Sequence, residues 1–210
     1  ACNAANEQAV VELRRRKRRS NKPLAVMVRS LADTERLCHV DDAERSLLTG
    51  SIRPIVLLRR RAVGEGDSPD GLTLAPSVAH DLPELGVMLP YTPLQHLLLA
   101  AAASHDMHAL VMTSGNLSEE PIETDDALAW EHLVAAGIAD ALLGNDRAIL
   151  SRYDDSVVRV VDGTVMPVRR ARGYAPQPLS LPTLDGTRRC RKRRDLRCLE
   201  RRPRTSRKPL

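Results

Sequence analysis

Short apolar runs that alternate with helix-like segments constrain the fold of this sequence more than any other feature. Each run is three to six residues long and mainly apolar, and most are bounded by Pro, Gly or charged residues, which is typical of buried strands. Strands that alternate with helices pair in one sheet whose faces the helices cover. We therefore predict an α/β fold with a twisted mixed sheet flanked by helices. The runs lie at residues 24–28, 53–58, 87–89 and 109–112.

Polar residues that favour helix N-termini mark the predicted helices between these runs. The predicted helices begin at Asn6, Ser30, residue 41, Pro93, and Thr124 or Asp125. The last of them is predicted to extend to Ala136, and a short strand is predicted to follow at residues 139–145.

The final predicted element is a hairpin. Val157–Val161 and Thr164–Arg169 are rich in valine and flank Asp162-Gly163, a dipeptide that suits the tight turn between twisted antiparallel strands.

Charge and composition divide the chain of 210 residues into a body and a tail. The hydrophobic fraction of 42% supports one core, but residues 186–210 hold 12 of the 32 Lys and Arg and only 2 acids, so the rest of the chain is net acidic. We predict one domain at 1–182 and a disordered basic tail at 183–210. Without a long apolar run, a secretory signal or a metal-finger cysteine pattern, we expect no membrane span, no protein-bound metal and a cytoplasmic location.

The stretch "RRRKRRSNK" places seven bases within nine residues, from Arg14 to Lys22, at the end of the first predicted helix. One interpretation is that these bases complement the negative end of the helix dipole and are solvated. The alternative is that some of them bind a polyphosphate, with arginine as a planar fork and lysine as a point charge. Seven charges directly before a buried strand exceed what the first interpretation explains.

The stretch "TSGNLS" follows the buried run "ALVM" and contains many small hydrogen-bonding groups. It is either an ordinary turn or a phosphate cradle. Ser114, Asn116 and backbone N–H groups freed by Gly115 suit phosphate oxygens or hydrated Mg²⁺. In open α/β sheets ligands collect beyond strand ends, so this turn is expected to face the basic cluster.

Three blocks together resemble the YrdC-like ATP-binding domain of the HypF-type carbamoyltransferases of [NiFe]-hydrogenase maturation. The blocks are "LRRRKRRSNKPLAVMVRSL", "LGVMLPYTPLQHLLL" with "ALVMTSGNLSEEPI", and "DRAILSRYDDSVVRVVDGTVMPVRRARGYAPQPL". The resemblance implies catalytic roles for Lys17 and Arg19 in a K-x-R signature. It also implies nucleotide contacts for Lys22, Ser114, Asn116, Ser156 and Arg172. In this family a strand and a glycine-rich turn precede the K-x-R region, so the first strand of the domain is expected to be missing from a fragment that begins at Ala1.

The resemblance implies a reaction of ATP with carbamate, derived from carbamoyl phosphate, that gives carbamoyl-adenylate with Mg²⁺ as the metal cofactor. The carbamoyl group would then pass to the C-terminal cysteine of a hydrogenase maturation partner protein. Two alternatives stay open: a module that binds double-stranded RNA, and a threonylcarbamoyl-adenylate synthase. Because full-length proteins of this kind carry further domains, the chain is expected to be a fragment with incomplete activity.

Overall fold

The computed structural model describes residues 1–19, 22–62, 72–80, 82–118 and 120–178. The chain divides into a compact unit, Ala1–Tyr174, and a second unit, Ala175–Leu210, of which only residues 175–178 are described. The predicted basic tail lies outside the described residues. None of the helices within the described ranges is long and apolar enough to span a bilayer.

One seven-stranded mixed sheet organises the first unit, as predicted. Its spatial order is β1-β5-β2-β4-β3-β6-β7, with β2–β4 and β3–β6 parallel and the other pairs antiparallel. β6 and β7 are consecutive in the chain and are joined by a two-residue turn. β3 and β4 are also consecutive and paired, but a long segment separates them. The strands are β1 (Cys2–Asn3), β2 (Ala25–Val28), β3 (Ile55–Arg59), β4 (Glu84–Met88), β5 (Ala109–Met112), β6 (Val157–Val161) and β7 (Thr164–Arg169).

The helices begin at the residues that the capping pattern predicts. Asn6, Ser30, Asp41 and Thr92 each accept a hydrogen bond from the first turn of their helix, and Asp125 rather than Thr124 caps the last one. The last helix continues as one wider π-helical stretch, Trp130–Ala135. The helices are α1 (Glu7–Arg16), α2 (Leu31–Leu37), α3 (Asp42–Thr49), α4 (Pro93–Ala103) and α5 (Asp126–Ala129).

The alternation of side chains along β2 explains why helices cover both faces of the sheet. Val26 and Val28 belong to one buried cluster, together with Val10 of α1, whereas Met27 belongs to a second cluster that includes Leu99 of α4. Because successive strand residues point to opposite faces, each face is apolar and requires its own cover.

The hairpin prediction is confirmed in detail. Asp162 and Gly163 both have positive φ, 49° and 71°, as a two-residue turn between right-twisted strands requires. β7 forms the outer edge of the sheet, and all six of its residues are exposed.

Three predictions of strand position are wrong or incomplete. Residues 139–145 form no strand, because they pair with no strand among the described residues and most of their side chains are exposed; Leu143 is 64% exposed. β4 begins at Glu84 rather than at residue 87, because the backbone of β3 pairs with it as far as Arg59 opposite Glu84. The two-residue strand β1, next to β5, was not predicted.

Candidate functional site

The buried side of α1 directs Lys17 into the protein. Val10, Arg14 and Lys17 follow one another at intervals of four and three residues, so they lie on the same side of the helix, and all three are buried. Lys17 is only 5% exposed and stands at the helix C-cap. Its ammonium group therefore points away from bulk solvent, toward the end of the sheet at which β5 ends.

A tight turn after β5 presents a set of neutral polar atoms. The Asn116 backbone N–H donates to Ser114 O at 3.0 Å, and the Ser114 hydroxyl donates to Asn116 Oδ1 at 2.6 Å. The Asn116 side-chain amide donates to Glu120 O at 2.6 Å, and Glu123 N–H donates to Gly115 O at 2.9 Å. The Ser114–Asn116 turn is thus held in one shape by its own hydrogen bonds.

Strand pairing brings this turn to the basic cluster. β2 and β5 are antiparallel with Ala25 opposite Met112, so the residues before β2 and after β5 share one end of the sheet. Lys17 Nζ donates to Ser114 O at 2.5 Å and lies 3.4 Å from Asn116 Oδ1.

Arg19 joins the same group through the residue before the turn and the residues before β2. Its Nη1 lies 3.4 Å from Thr113 Oγ1, and its Nη2 donates to Pro23 O at 2.7 Å. Four of the predicted site residues, Lys17, Arg19, Ser114 and Asn116, therefore meet in one place.

The electrostatics of this group are unusual for a basic surface. Burial, with a smaller contribution from Arg19, lowers the pKa of Lys17 from 10.5 to about 8. Burial and then the charges of Arg14 and Arg169 lower the pKa of Arg19. Within the described ranges neither Lys17 nor Arg19 forms an ion pair with a carboxylate, and Arg19 Nε is buried with no hydrogen-bond acceptor. Two clustered cations with spare donor capacity favour an anionic ligand.

The other bases of the cluster have different roles. Arg15 and Arg16 form ion pairs with Glu12, and Arg16 also forms one with Asp140. These two bases therefore lie at the surface of the helix C-terminus, as the helix-dipole interpretation predicts. The Lys22 side chain is exposed at the edge of the group, and its backbone O accepts from Arg14. Ser20 and Asn21, within the same turn, lie outside the described residues.

Ser156 and Arg172, the two remaining predicted residues, form a separate cluster. Ser156 precedes β6, which runs opposite to β2, so it lies beside the opposite ends of the strands. Its hydroxyl is fully buried, donates to Arg172 O at 2.9 Å and accepts from Ala171 N–H at 2.8 Å. Both hydrogen-bonding functions of this hydroxyl are used inside the protein.

The Arg172 guanidinium is also engaged within the protein. It donates to Asp155 Oδ1 at 2.9 Å and to the carbonyls of Ile52 and Arg53 at 2.8 Å each, and it stacks 3.5 Å from the ring centre of Tyr91. In this structure Ser156 and Arg172 tie the start of β6 to the segment before β3. A nucleotide contact for either residue stays a prediction.

A cleft of about 610 Å³ adjoins the Ser114–Asn116 turn and is lined in part by Leu117 and Glu120, which follow that turn. Three glutamates line it, with Arg152 and His132, and His132 pairs with Glu123. This acidic lining does not suit a polyphosphate, so the Lys17 side of the turn is the better candidate. Among the described residues, no three His, Cys, Asp or Glu side chains are grouped to hold a metal ion.

Arg14 is the residue of this region that sequence reasoning missed. Within the run of bases it looks equivalent to its neighbours, yet it is 7% exposed and contacts four backbone carbonyls. The available signal was its spacing of four residues from Val10, which places a base on the core-facing side of an amphipathic helix.

Comparison with known proteins gives a consistent picture. The Sua5/YciO/YrdC family, described as "Telomere recombination", matches residues 1–171. Carbamoyltransferase HypF of Rhodobacter capsulatus is 50% identical over 182 residues, covering 87% of this chain and 22% of its own length. Carbamoyltransferase HypF2 of Cupriavidus necator is 46% identical over 195 residues, covering 86% of this chain and 23% of its own length.

Among solved structures, full-length HypF in a phosphate- and nucleotide-bound form is 46% identical and superposes with a TM-score of 0.73. The match covers 84% of this chain and 26% of that one. The chain thus spans about a quarter of the length of the proteins that it matches.

Proposed function

The chain belongs to the Sua5/YciO/YrdC family, and we propose that its Lys17–Asn116 site uses ATP to convert carbamate into carbamoyl-adenylate. Carbamate would come from carbamoyl phosphate. The carbamoyl group would end on the C-terminal cysteine of a hydrogenase maturation partner, a step that requires parts of the longer relatives not matched by this chain.

One observation carries the proposal. Lys17 Nζ and the Arg19 guanidinium converge on the Ser114–Asn116 turn with no carboxylate paired to them in the described part of the chain. Holding a buried lysine charged without a counter-ion lowers stability, as the pKa of about 8 indicates. A bound polyphosphate supplies the missing counter-charge and recovers that cost.

The chemistry assigns a role to each group. A carbamate oxygen attacks the α-phosphorus of ATP, a P–O bond to it forms, the bond to the β-phosphate oxygen breaks, and pyrophosphate leaves with its electron pair. Lys17 and Arg19 would neutralise the charge that develops on the phosphates and the leaving group. Ser114, Asn116 and Lys22 would orient the phosphates.

The donor set of the site fits an anion rather than a bare cation. Asn116 Oδ1 already accepts from Lys17 and from Ser114, and the two bases repel divalent metals. Mg²⁺ would therefore enter with ATP, bound by the phosphate oxygens, and it would supply further charge neutralisation there.

Resemblance to characterised relatives supports the reaction class. Proteins named carbamoyltransferase HypF are up to 50% identical to the chain, and the solved full-length HypF was crystallised with phosphate and nucleotide. The choice of carbamate, the hydrogenase maturation partner and a cytoplasmic location rest on this resemblance and on the sequence.

Calorimetric titration with ATP and Mg²⁺ tests the site. We expect Lys17→Met and Arg19→Gln each to weaken binding at least tenfold, because each removes a charge-assisted hydrogen bond worth about 1.5–3 kcal/mol. Arg15→Gln is the matched control: it removes one charge from the same basic cluster, but Arg15 is exposed and pairs only with Glu12 among the described contacts. Equal losses in all three variants would show non-specific attraction and refute the site.

Substrate tests separate the alternatives. Release of pyrophosphate from ATP that depends on carbamoyl phosphate or carbamate supports the proposal, whereas dependence on threonine with bicarbonate indicates threonylcarbamoyl-adenylate synthesis. Double-stranded RNA binding stays a prediction, and a salt-dependent affinity that survives removal of residues 183–210 would support it.

A further inference from the structure

Arg14 makes an unusually complete set of contacts for a side chain in a basic run. Its guanidinium donates to the backbone carbonyls of Ser77 at 2.6 Å, Arg19 at 3.0 Å, Lys22 at 3.0 Å and Val78 at 3.2 Å. In addition, Arg19 N–H donates to Arg14 O at 2.9 Å. The side chain thus links two segments that are more than fifty residues apart in sequence.

One of these segments is fixed by the core. Leu24 N–H, at the entrance to β2, donates to Val78 O at 3.0 Å, and Ala75 N–H donates to Ala4 O at 2.8 Å. Glu7 of α1 accepts from both the backbone N–H and the hydroxyl of Ser77. The short helical turn Pro76–Val78 is therefore a rigid support.

The other segment is the turn between α1 and β2, which carries Lys17 and Arg19. Its backbone departs from helical geometry at Arg18, where φ is +52°, so the turn is held in a conformation that most residues disfavour. The carbonyls of Arg19 and Lys22 are the points at which Arg14 fastens this turn to the Pro76–Val78 support.

We infer that Arg14 is a positioning residue, which fixes the turn so that the Lys17 ammonium and the Arg19 guanidinium face the Ser114–Asn116 turn. A planar fork that donates in several directions matches four carbonyls, whereas a lysine at this position has one donor group and no fixed geometry. The consequence for nucleotide binding rests on the proposed function, but the placement of Lys17 does not.

The experiment compares Arg14→Lys and Arg14→Gln with the exposed control Arg15→Gln in the full chain. Circular dichroism first establishes which variants fold; Arg14→Lys keeps the charge but not the planar fork, and it serves if Arg14→Gln does not fold. The Lys17 amine is then titrated by NMR in protein labelled at lysine, with its signal assigned by its absence in Lys17→Met.

In the parent chain and the control, the pKa of Lys17 is expected near 8. In the Arg14 variants it is expected to rise toward the ordinary value for lysine, because a released turn exposes the ammonium group to water. ATP affinity should fall about tenfold or more in the same variants.

A folded Arg14 variant that loses thermal stability but keeps both the Lys17 titration and the ATP affinity of the parent would show a purely structural role and overturn the inference. If the parent chain fails to bind ATP, the proposed function fails, yet the Lys17 titration still decides whether Arg14 positions the turn.

Discussion

Replacement of Lys17 by methionine removes a charge that the fold accommodates at a cost. Below pH 8 Lys17 is protonated in both the folded and the unfolded chain, so the folded state bears the full penalty of a buried ammonium group. Above about pH 10.5 the amine is neutral in both states and the penalty disappears. Between these values the unfolded chain binds more protons, so the stability of the parent protein rises with pH.

The size of the effect follows from the two pKa values. A fall from 10.5 to about 8 corresponds to an upper limit of about 3 kcal/mol, at 1.36 kcal/mol for each pH unit. The hydrogen bonds that the ammonium group donates to Ser114 O and Asn116 Oδ1 are lost in the variant and offset part of this gain, which leaves about 1–2 kcal/mol. Methionine has a similar length and no charge. The substitution leaves no carbonyl without a donor, because Ser114 O still accepts from Asn116 N–H and Asn116 Oδ1 still accepts from the Ser114 hydroxyl.

We therefore expect Lys17→Met to raise the free energy of unfolding at pH 7 by about 1–2 kcal/mol while ATP affinity falls. Urea denaturation at a series of pH values measures the difference between variant and parent, which should shrink to near zero as the pH rises from 8 to 10.5. A variant that is less stable than the parent at pH 7, or a difference that does not depend on pH, would refute the reasoning.

Two further substitutions test the cluster around Arg172. Ser156→Ala removes a buried hydroxyl that joins Ala171 N–H and Arg172 O, so a loss of about 1–3 kcal/mol in thermal denaturation is expected. Gly173→Ala should cost about 1–3 kcal/mol, because Gly173 has φ +84° and an added Cβ would lie 2.6 Å from Ile52 Cγ2.

Gly137→Ala is the matched control for the second substitution. Gly137 also has positive φ, +71°, but an added Cβ there meets no atom within 4 Å, so only the backbone term remains. Equal losses at the two glycines would contradict the close contact with Ile52. An unchanged melting temperature in Ser156→Ala would contradict the role given to the Ser156 hydroxyl.

Local signals in the sequence were sufficient for most of the fold. Helix caps such as Asn6 and Ser30 act within one turn, and the Asp162-Gly163 dipeptide fixes its hairpin locally. The errors fall where pairing decides the outcome. Residues 139–145 have strand composition but find no partner among the described residues, and Glu84 enters a strand because its backbone pairs with that of Arg59 in β3.

The candidate site shows the same division. Its residue types were predictable, because a basic run and a polar turn suit phosphate wherever they meet. The sequence did not predict which of these bases would be buried and which would form surface ion pairs. Arg14 and Arg15 are adjacent and chemically identical, and only the direction in which α1 packs makes one a buried clamp and the other a surface ion pair. Likewise, the stack of Arg172 on Tyr91 depends on contacts across some eighty residues of sequence.

The strand order has a consequence for the time at which this site forms during synthesis. β1 and β2 both pair with β5, and the contact from Lys17 to Ser114 spans 97 residues. The basic turn leaves the ribosome well before Ser114 is synthesised, because it lies so much earlier in the sequence. Closing such a large loop is also entropically unfavourable and slow. The nascent chain therefore carries exposed cations until the Ser114–Asn116 turn has been made, and the anion site can form only after that point.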